Sequence, residues 1–265
     1  MTFAIAAAQL PPHDDSDDKV FTTPTAVIVL DGASAHAPVP VDPSTYAHTL
    51  GGTLRDHLDR TPEVDLAHVL DDAITDSTAR LGLTAGASPS STVTILRRRG
   101  DHVDMLTLGD NLVVLPGRTI IDPRLDHLDI PERHHYRQRL ADGTGFDDTH
   151  RALLAALQRK QADRRNDPRG YWIAEADPAA AHHAIRDTVP IDHIPWAVVA
   201  TDGAYTPMRH LDIADWAAIS ALSDAGLHHI LTRCHIWEYD IDPDARVLAR
   251  AKRHDDKTLV AVRFT

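Results

Sequence analysis

Apolar runs that stop at an acid are the most legible pattern in this chain. Val27-Ile28-Val29-Leu30 ends at Asp31-Gly32, Val198-Val199-Ala200 at Thr201-Asp202-Gly203, and Met105-Leu106-Thr107-Leu108 at Gly109-Asp110. Uninterrupted apolar runs of this kind read as strands buried on both faces. The spacing predicts one strand over Val20–Leu30 and another over Trp196–Thr201. The alternating Thr258–Phe264 predicts a third, and Phe3–Ala8 a first strand at the N-terminal end. Between them, Thr92–Leu96, His102–Leu108 and Leu112–Leu115 read as an antiparallel meander with turns at Gly100-Asp101 and Gly109-Asp110.

Helical spacing appears in two blocks. Tyr46, Leu50, Leu54 and Leu58 recur every fourth residue behind Asp42-Pro43, and Leu66, Val69, Leu70, Ala73 and Ile74 mark a second helix. Gly51-Gly52 weakens the first by about 1 kcal/mol per glycine, which predicts close approach to a neighbour. Further helices are expected around Thr149–Arg159, after Asp177-Pro178, from Asp212 and from Asp224. Residues 122–172 read as an irregular insertion on a single domain spanning 1–265, with too few apolar residues for a core of its own. Ala162–Gly170 reads as a mobile loop. The order of elements fits sheets covered by helices.

Composition narrows the function classes. A net charge of −12 argues against a nucleic-acid partner held through its phosphates. A single cysteine, Cys234, excludes an internal disulfide and suits a reducing cytoplasm. The apolar stretch at Phe3–Ala8 has no basic residue before it and is too short to span a membrane. Nearly all the acid is aspartate, so roughly two Asp-Gly pairs are expected by chance, and the information lies in the strand before each. Asp142-Gly143 has no such strand and reads as an ordinary turn.

Carboxylates brought together at strand ends are what a hard divalent cation requires. Mg²⁺ and Mn²⁺ prefer oxygen ligands, and a glycine after the acid lets a second group approach closely. The order Asp17-Asp18, Asp31-Gly32, Ser91-Thr92, Gly109-Asp110, Asp202-Gly203 and Asp255-Asp256-Lys257-Thr258 resembles the metal-dependent, type 2C serine/threonine protein phosphatases. It is most similar to their divergent bacterial branch, where the segment Tyr171–Pro178 would also fit. The resemblance implies an α+β fold, two antiparallel β-sheets packed as a sandwich and flanked by helices. It implies two Mn²⁺ or Mg²⁺ ions. Asp31 would bridge them, with Gly32 and Asp17 completing one site and Asp202 and Asp255 the other. Asp110 matches the residue associated with a third ion. The implied reaction is attack of a metal-bridging water on phosphoserine or phosphothreonine of a protein substrate.

Within each acid pair the register is open, Asp17 or Asp18 and Asp255 or Asp256. The chain departs from the family pattern where Ala33-Ser34-Ala35-His36 replaces a glycine-rich continuation. It departs again where His13 stands four residues before the first acid, the place of a phosphate-holding arginine, leaving His13 or His36 to act on phosphate. These departures motivate an alternative, a non-catalytic pseudophosphatase that binds a phosphorylated partner. An aspartyl-phosphate mechanism wants a second acid two residues after the first, and Ala33 and Ala204 stand there. The pairs His134-His135, His182-His183 and His228-His229 read as surface residues, and Cys234 as a core thiol. No Gly-x-Ser-x-Gly elbow supports a serine nucleophile.

Overall fold

The computed structural model describes residues 3–33 and 38–264. The chain runs β1 (Phe3–Leu10), β2 (Lys19–Thr22), β3 (Ala26–Leu30), α1 (Pro43–Arg60), α2 (Leu66–Leu81), β4 (Val93–Arg99), β5 (His102–Leu108), β6 (Leu112–Leu115) and β7 (Arg118–Ile120). It continues with α3 (Pro131–Ala141), α4 (Asp148–Ala162), β8 (Ile185–Pro190), β9 (Trp196–Ala200), α5 (Asp202–His210), α6 (Trp216–Ser220), α7 (Asp224–Asp240) and β10 (Lys257–Phe264). The strands form two antiparallel five-stranded sheets, ordered β1-β10-β9-β6-β7 and β2-β3-β4-β5-β8. This is the expected sandwich flanked by helices.

Three apolar layers explain the arrangement. Val27, Val29, Leu96, Val113, Val199 and Val260 fill the space between the sheets. The opposite faces of β3 and β4, through Ile28, Leu30 and Ile95, pack on Leu50, Leu54, Leu70 and Ile74 of α1 and α2. The outer face of the other sheet, through Val198, Ala200 and Leu259, packs on Met208, Ile219, Leu227 and Leu231 of α5, α6 and α7. Strands covered on both faces carry no polar alternation, which is why the runs at 27–30 and 197–200 are wholly apolar. Asp42 caps α1 by accepting from the Thr45 backbone N–H at 2.7 Å, and Pro43 follows at the first helical position.

Several expectations are corrected. Val20–Leu30 is two strands, because a turn at 23–25 folds β2 back on β3 with Lys19 opposite Leu30. The meander is broken at its second turn: β4 and β5 pair in one sheet, while β6 pairs with β7 and β9 in the other. Gly109-Asp110 therefore carries the chain from sheet to sheet. Asp177-Pro178 opens a short 3-10 turn, and β8 follows it.

The insertion at 122–172 is more regular than expected. Helices α3 and α4 pack through Tyr136, Leu140, Leu154 and Leu157 as a small apolar cluster with Ala245. The loop 163–170 is closed by backbone hydrogen bonds between Asn166 and Tyr171 and between Tyr171 and Arg164.

Of the two glycines in α1, one makes the expected close approach. A Cβ on Gly51 would lie 2.2 Å from the Phe21 ring and 2.8 Å from Leu30, whereas one on Gly52 would meet nothing within 4 Å. Overpacking costs about 1–3 kcal/mol, and alanine gains about 1 kcal/mol over glycine in a helix interior. Gly51→Ala should therefore lower stability and Gly52→Ala raise it by up to about 1 kcal/mol in urea unfolding. Effects of equal sign would refute this packing account.

Candidate metal centre

Each acid-tipped strand delivers its carboxylate to the same end of the sandwich, and each is held by backbone or hydroxyl groups. Asp31 leaves β3 with its N–H donating to Thr92 Oγ1 at 3.0 Å. Its carbonyl accepts from the Thr92 N–H and the Ser91 hydroxyl, both at 2.9 Å. The Ser-Thr pair thus fixes Asp31 from the adjoining β4. Asp110 sits at the crossing between sheets, where Gly109 has a φ of +90° and packs on Thr92. The Tyr205 hydroxyl donates to the Asp110 carbonyl at 3.3 Å. Asp202 opens α5 directly after β9.

The acid that faces Asp31 from the first pair is Asp18. It is buried, and its Oδ2 accepts from the Thr201 hydroxyl at 2.9 Å. Thr201 Oγ1 in turn accepts from the Thr258 N–H at 2.9 Å. Asp17, expected in this role, lies beside Gly32 and makes different contacts. Its backbone N–H donates to Asp256 Oδ2, and burial and Asp256 raise its carboxyl. The register is set by those threonines, far away in sequence. In the second pair, Asp255 faces the centre and accepts from Lys252 at 2.8 Å, while Asp256 ties down the Asp17 turn.

Both Asp-Gly glycines act through close approach. A Cβ on Gly203 would stand 2.0 Å from the Asp256 carbonyl oxygen, and one on Gly32 would stand 2.8 Å from that of Asp17. The loops bearing Asp18 and Asp255 lie against these glycines, so any side chain there would push the acids apart.

The electrostatics follow from this crowding. Asp31 is raised well above the ordinary carboxylate range by burial, then by Asp18, Asp202, Asp255 and Asp110. Asp202 is raised by burial, then by Asp255, Asp110 and Asp18. Burial pushes Asp18 up to about 7 against the hydrogen bonds from Thr258 and Thr201, with Asp255 and Asp256 adding to the rise. Burial pushes Asp110 up to about 6, helped by Asp126 and Asp122. Among the described residues no lysine, arginine or histidine forms an ion pair with Asp18, Asp31, Asp110 or Asp202, and Asp18 Oδ1 is buried without a hydrogen-bond partner. A set of unpaired oxygen donors with one orphaned buried oxygen fits hard divalent cations.

His13 lies beside this centre and not in it. Its Nδ1 is 3.3 Å from Gln9 Oε1, and Gln9 Nε2 donates to the Asp18 carbonyl at 3.0 Å. Burial, Lys19 and His48 lower its pKa, which favours the neutral ring. Lys19 donates to the carbonyls of His13 and Ser16. His36 lies outside the described residues. The six residues of the three histidine pairs are all exposed. Cys234 is buried, and burial pushes its thiol up to about 11.

On the other side of the acids lies a cleft of about 320 Å³ bordered by Asp110, Asp202, Asp255, Asp126, Arg137 and Arg209. Arg209 lies 4.7 Å over the Tyr205 ring, and Arg137 is exposed. Neither arginine carries a motif, and both were missed from sequence. Arg209 follows Asp202 by seven residues on α5, a spacing that would have pointed to it had that helix been anticipated.

No protein-family description and no curated protein matches this chain. Solved structures do. The photosystem II phosphatase PBCP is 14% identical, with a TM-score of 0.61 and 99% of each chain covered. PppA, described as a key regulatory component of T6SS in Pseudomonas aeruginosa, is 16% identical, with a TM-score of 0.55 and coverage of 99% and 98%. The catalytic domain of the serine/threonine phosphatase PstP, solved with two manganese ions, is 13% identical, with a TM-score of 0.51 and coverage of 98% and 96%. With its two five-stranded sheets and flanking helices, this chain has the fold of the metal-dependent type 2C serine/threonine protein phosphatases.

Proposed function

We propose that the protein is a metal-dependent hydrolase of phosphoserine and phosphothreonine in proteins. The observation that carries this reading is the group Asp18, Asp31, Asp110 and Asp202, acids crowded together with no basic side chain among the described residues bonded to any of them. Asp18, Asp31, Asp202 and Asp255, with the Gly32 carbonyl, would hold two Mn²⁺ or Mg²⁺ ions, and Asp110 borders the same cleft. Such ions supply Lewis acidity toward a phosphoryl oxygen and lower the pKa of water. The protein's own part is to hold the acids. Thr201 and Thr258 fix Asp18, Ser91 and Thr92 fix Asp31, and Lys252 orients Asp255.

The groups able to receive a phosphorylated side chain lie on the α3–α5 wall. Arg137 and Arg209 are cations of that cleft, and a guanidinium matches phosphate geometry. His13, its neutral ring favoured, is a poor anion ligand there. The region 122–172 contributes Asp126, Tyr136 and Arg137 to the cleft, which supports a role in admitting the substrate. His13 also motivates the second reading, a module that binds a phosphorylated partner without turnover. Phosphopeptide binding with no hydrolysis in Mn²⁺ would favour it.

In Mn²⁺ the protein should hydrolyse an aryl phosphate, and Asp31→Asn should reduce kcat/KM at least about 100-fold. A protein that binds no Mn²⁺ and turns over no phosphoester would refute the proposal. Gly203→Ala, which removes no oxygen donor, should weaken Mn²⁺ binding by displacing the Asp255 loop; unchanged affinity in calorimetry would show that the spacing is not critical.

A pH dependence follows for the metal-free protein. Asp18 holds its proton in the fold up to about 7 but would release it near about 4 in an unfolded chain. Between these values the folded state binds more protons, so this group's contribution to stability falls as pH rises. Bound Mn²⁺ replaces the protons. The Mn²⁺-induced rise in Tm should therefore be larger near pH 7 than near pH 5, and a rise independent of pH would contradict the assigned burial of Asp18.

A further inference from the structure

A second donor set adjoins the cleft, with Glu238 on its border, and has a different chemistry. His235 and Glu238 stand one turn apart on α7, so they share a helix face. His254 reaches them from the segment before β10. The ligating atoms of the three all lie within 4.8 Å of one another. The two imidazole rings have centroids 4.1 Å apart, and His254 Nδ1 is 3.1 Å from Glu238 Oε2. Ligand atoms around a tetrahedral zinc stand about 3.3 Å apart, close to that separation.

The surroundings suit a first shell of two imidazoles and one carboxylate. Glu238 is 2% exposed, and Lys257 Nζ donates to its Oε2 at 2.9 Å while also donating to the Asp255 carbonyl. This buried ammonium fixes the orientation of the carboxylate, as hydrogen-bonded partners of ligating carboxylates do. Arg250, the other nearby cation, is paired with Asp242 at 2.8 Å. The His235 ring has no hydrogen-bond partner among the described residues, and both histidines are partly exposed, which leaves ring nitrogens and a route for an ion.

We propose that His235, Glu238 and His254 form a separate imidazole-based metal site that takes a borderline transition ion, Zn²⁺ in preference to Mn²⁺. Imidazole donors favour zinc, copper and nickel, whereas the all-oxygen centre favours manganese and magnesium. The two sites are therefore distinguishable by metal. Because His254 precedes Asp255 and Glu238 borders the cleft, an ion here anchors the start of the acid-bearing loop.

The test uses the full-length protein, stripped with chelator and dialysed, and the metals themselves as probes. Wild type should retain one equivalent of Zn²⁺ that excess Mn²⁺ does not displace. H235Q and H254Q should each lose that equivalent. Loss of an outer partner already costs about 10- to 100-fold in metal affinity, so loss of a ring should exceed that. The Mn²⁺ isotherm of H235Q should be unchanged. Independently of any variant, Co²⁺ in the wild type should give the visible absorption of a four-coordinate ion, quenched by Zn²⁺ and not by Mn²⁺. Displacement of all Zn²⁺ by Mn²⁺, retention of the equivalent in a folded H235Q, or absence of the Co²⁺ spectrum would overturn the assignment.

Discussion

Repulsion among carboxylates is the constraint around which this structure is arranged. Two ionised acids about 5 Å apart repel by about 3 kcal/mol at an effective dielectric of about 20, and the centre gathers several. Among the described residues no basic side chain forms an ion pair with Asp18, Asp31, Asp110 or Asp202, and Arg133 offsets only part of the rise at Asp110. Burial first, and this repulsion after it, raise their pKa values. A chain that places acids so must hold them with something other than salt bridges, and here apolar packing does so. Between the sheets, Val27, Val29, Val199 and Val260 are fully buried, so neither β3 nor β9 can retreat to let its acid relax toward water. The hydroxyls of Ser91, Thr92 and Thr201 then position the acids without neutralising them.

The same constraint accounts for the connection at Gly109-Asp110. A hairpin turn would have left Asp110 at the rim of one sheet. By leaving β5 and entering β6 in the opposite sheet, the chain carries Asp110 across to Asp202, and Tyr205 bonds the crossing peptide. The glycines after Asp31 and Asp202 serve the same end by letting the Asp17 and Asp256 peptides lie against them.

What could be read from the sequence followed burial. The strands at 26–30 and 196–200 were legible because both faces are covered, and with them Asp31 and Asp202 as acids at strand ends. The burial of Asp18 was not, since it and Asp17 sit in one polar loop and the partners that bond Asp18, Thr201 and Thr258, lie more than 180 residues away. β8 was hidden because Ile185–Pro190 is an edge strand with mixed polarity, and α5 because Pro207 interrupts its helical signal. α3 lacks an apolar stripe and buries only Arg133, Tyr136 and Leu140. The His235, Glu238 and His254 group carries half of a motif on α7, and only the approach of the loop before β10 completes it.

The distribution of positive charge fixes an order of events at the acid centre. Lys19 is bonded to carbonyls and Lys252 to Asp255, and among the described residues neither forms an ion pair with Asp18, Asp31, Asp110 or Asp202. The exposed guanidinium groups, Arg137 and Arg209, stand at the cleft wall. A phosphate dianion approaching the bare acids would meet like charge at close range, and two guanidinium groups partly in water offset little of it. In the proposed function cations would therefore bind before a phosphorylated group is drawn in, and the proton held by Asp18 would leave as they do. Acid crowding, which costs folding stability in the metal-free protein, is thus the same property that would make the proposed centre take divalent cations before anions.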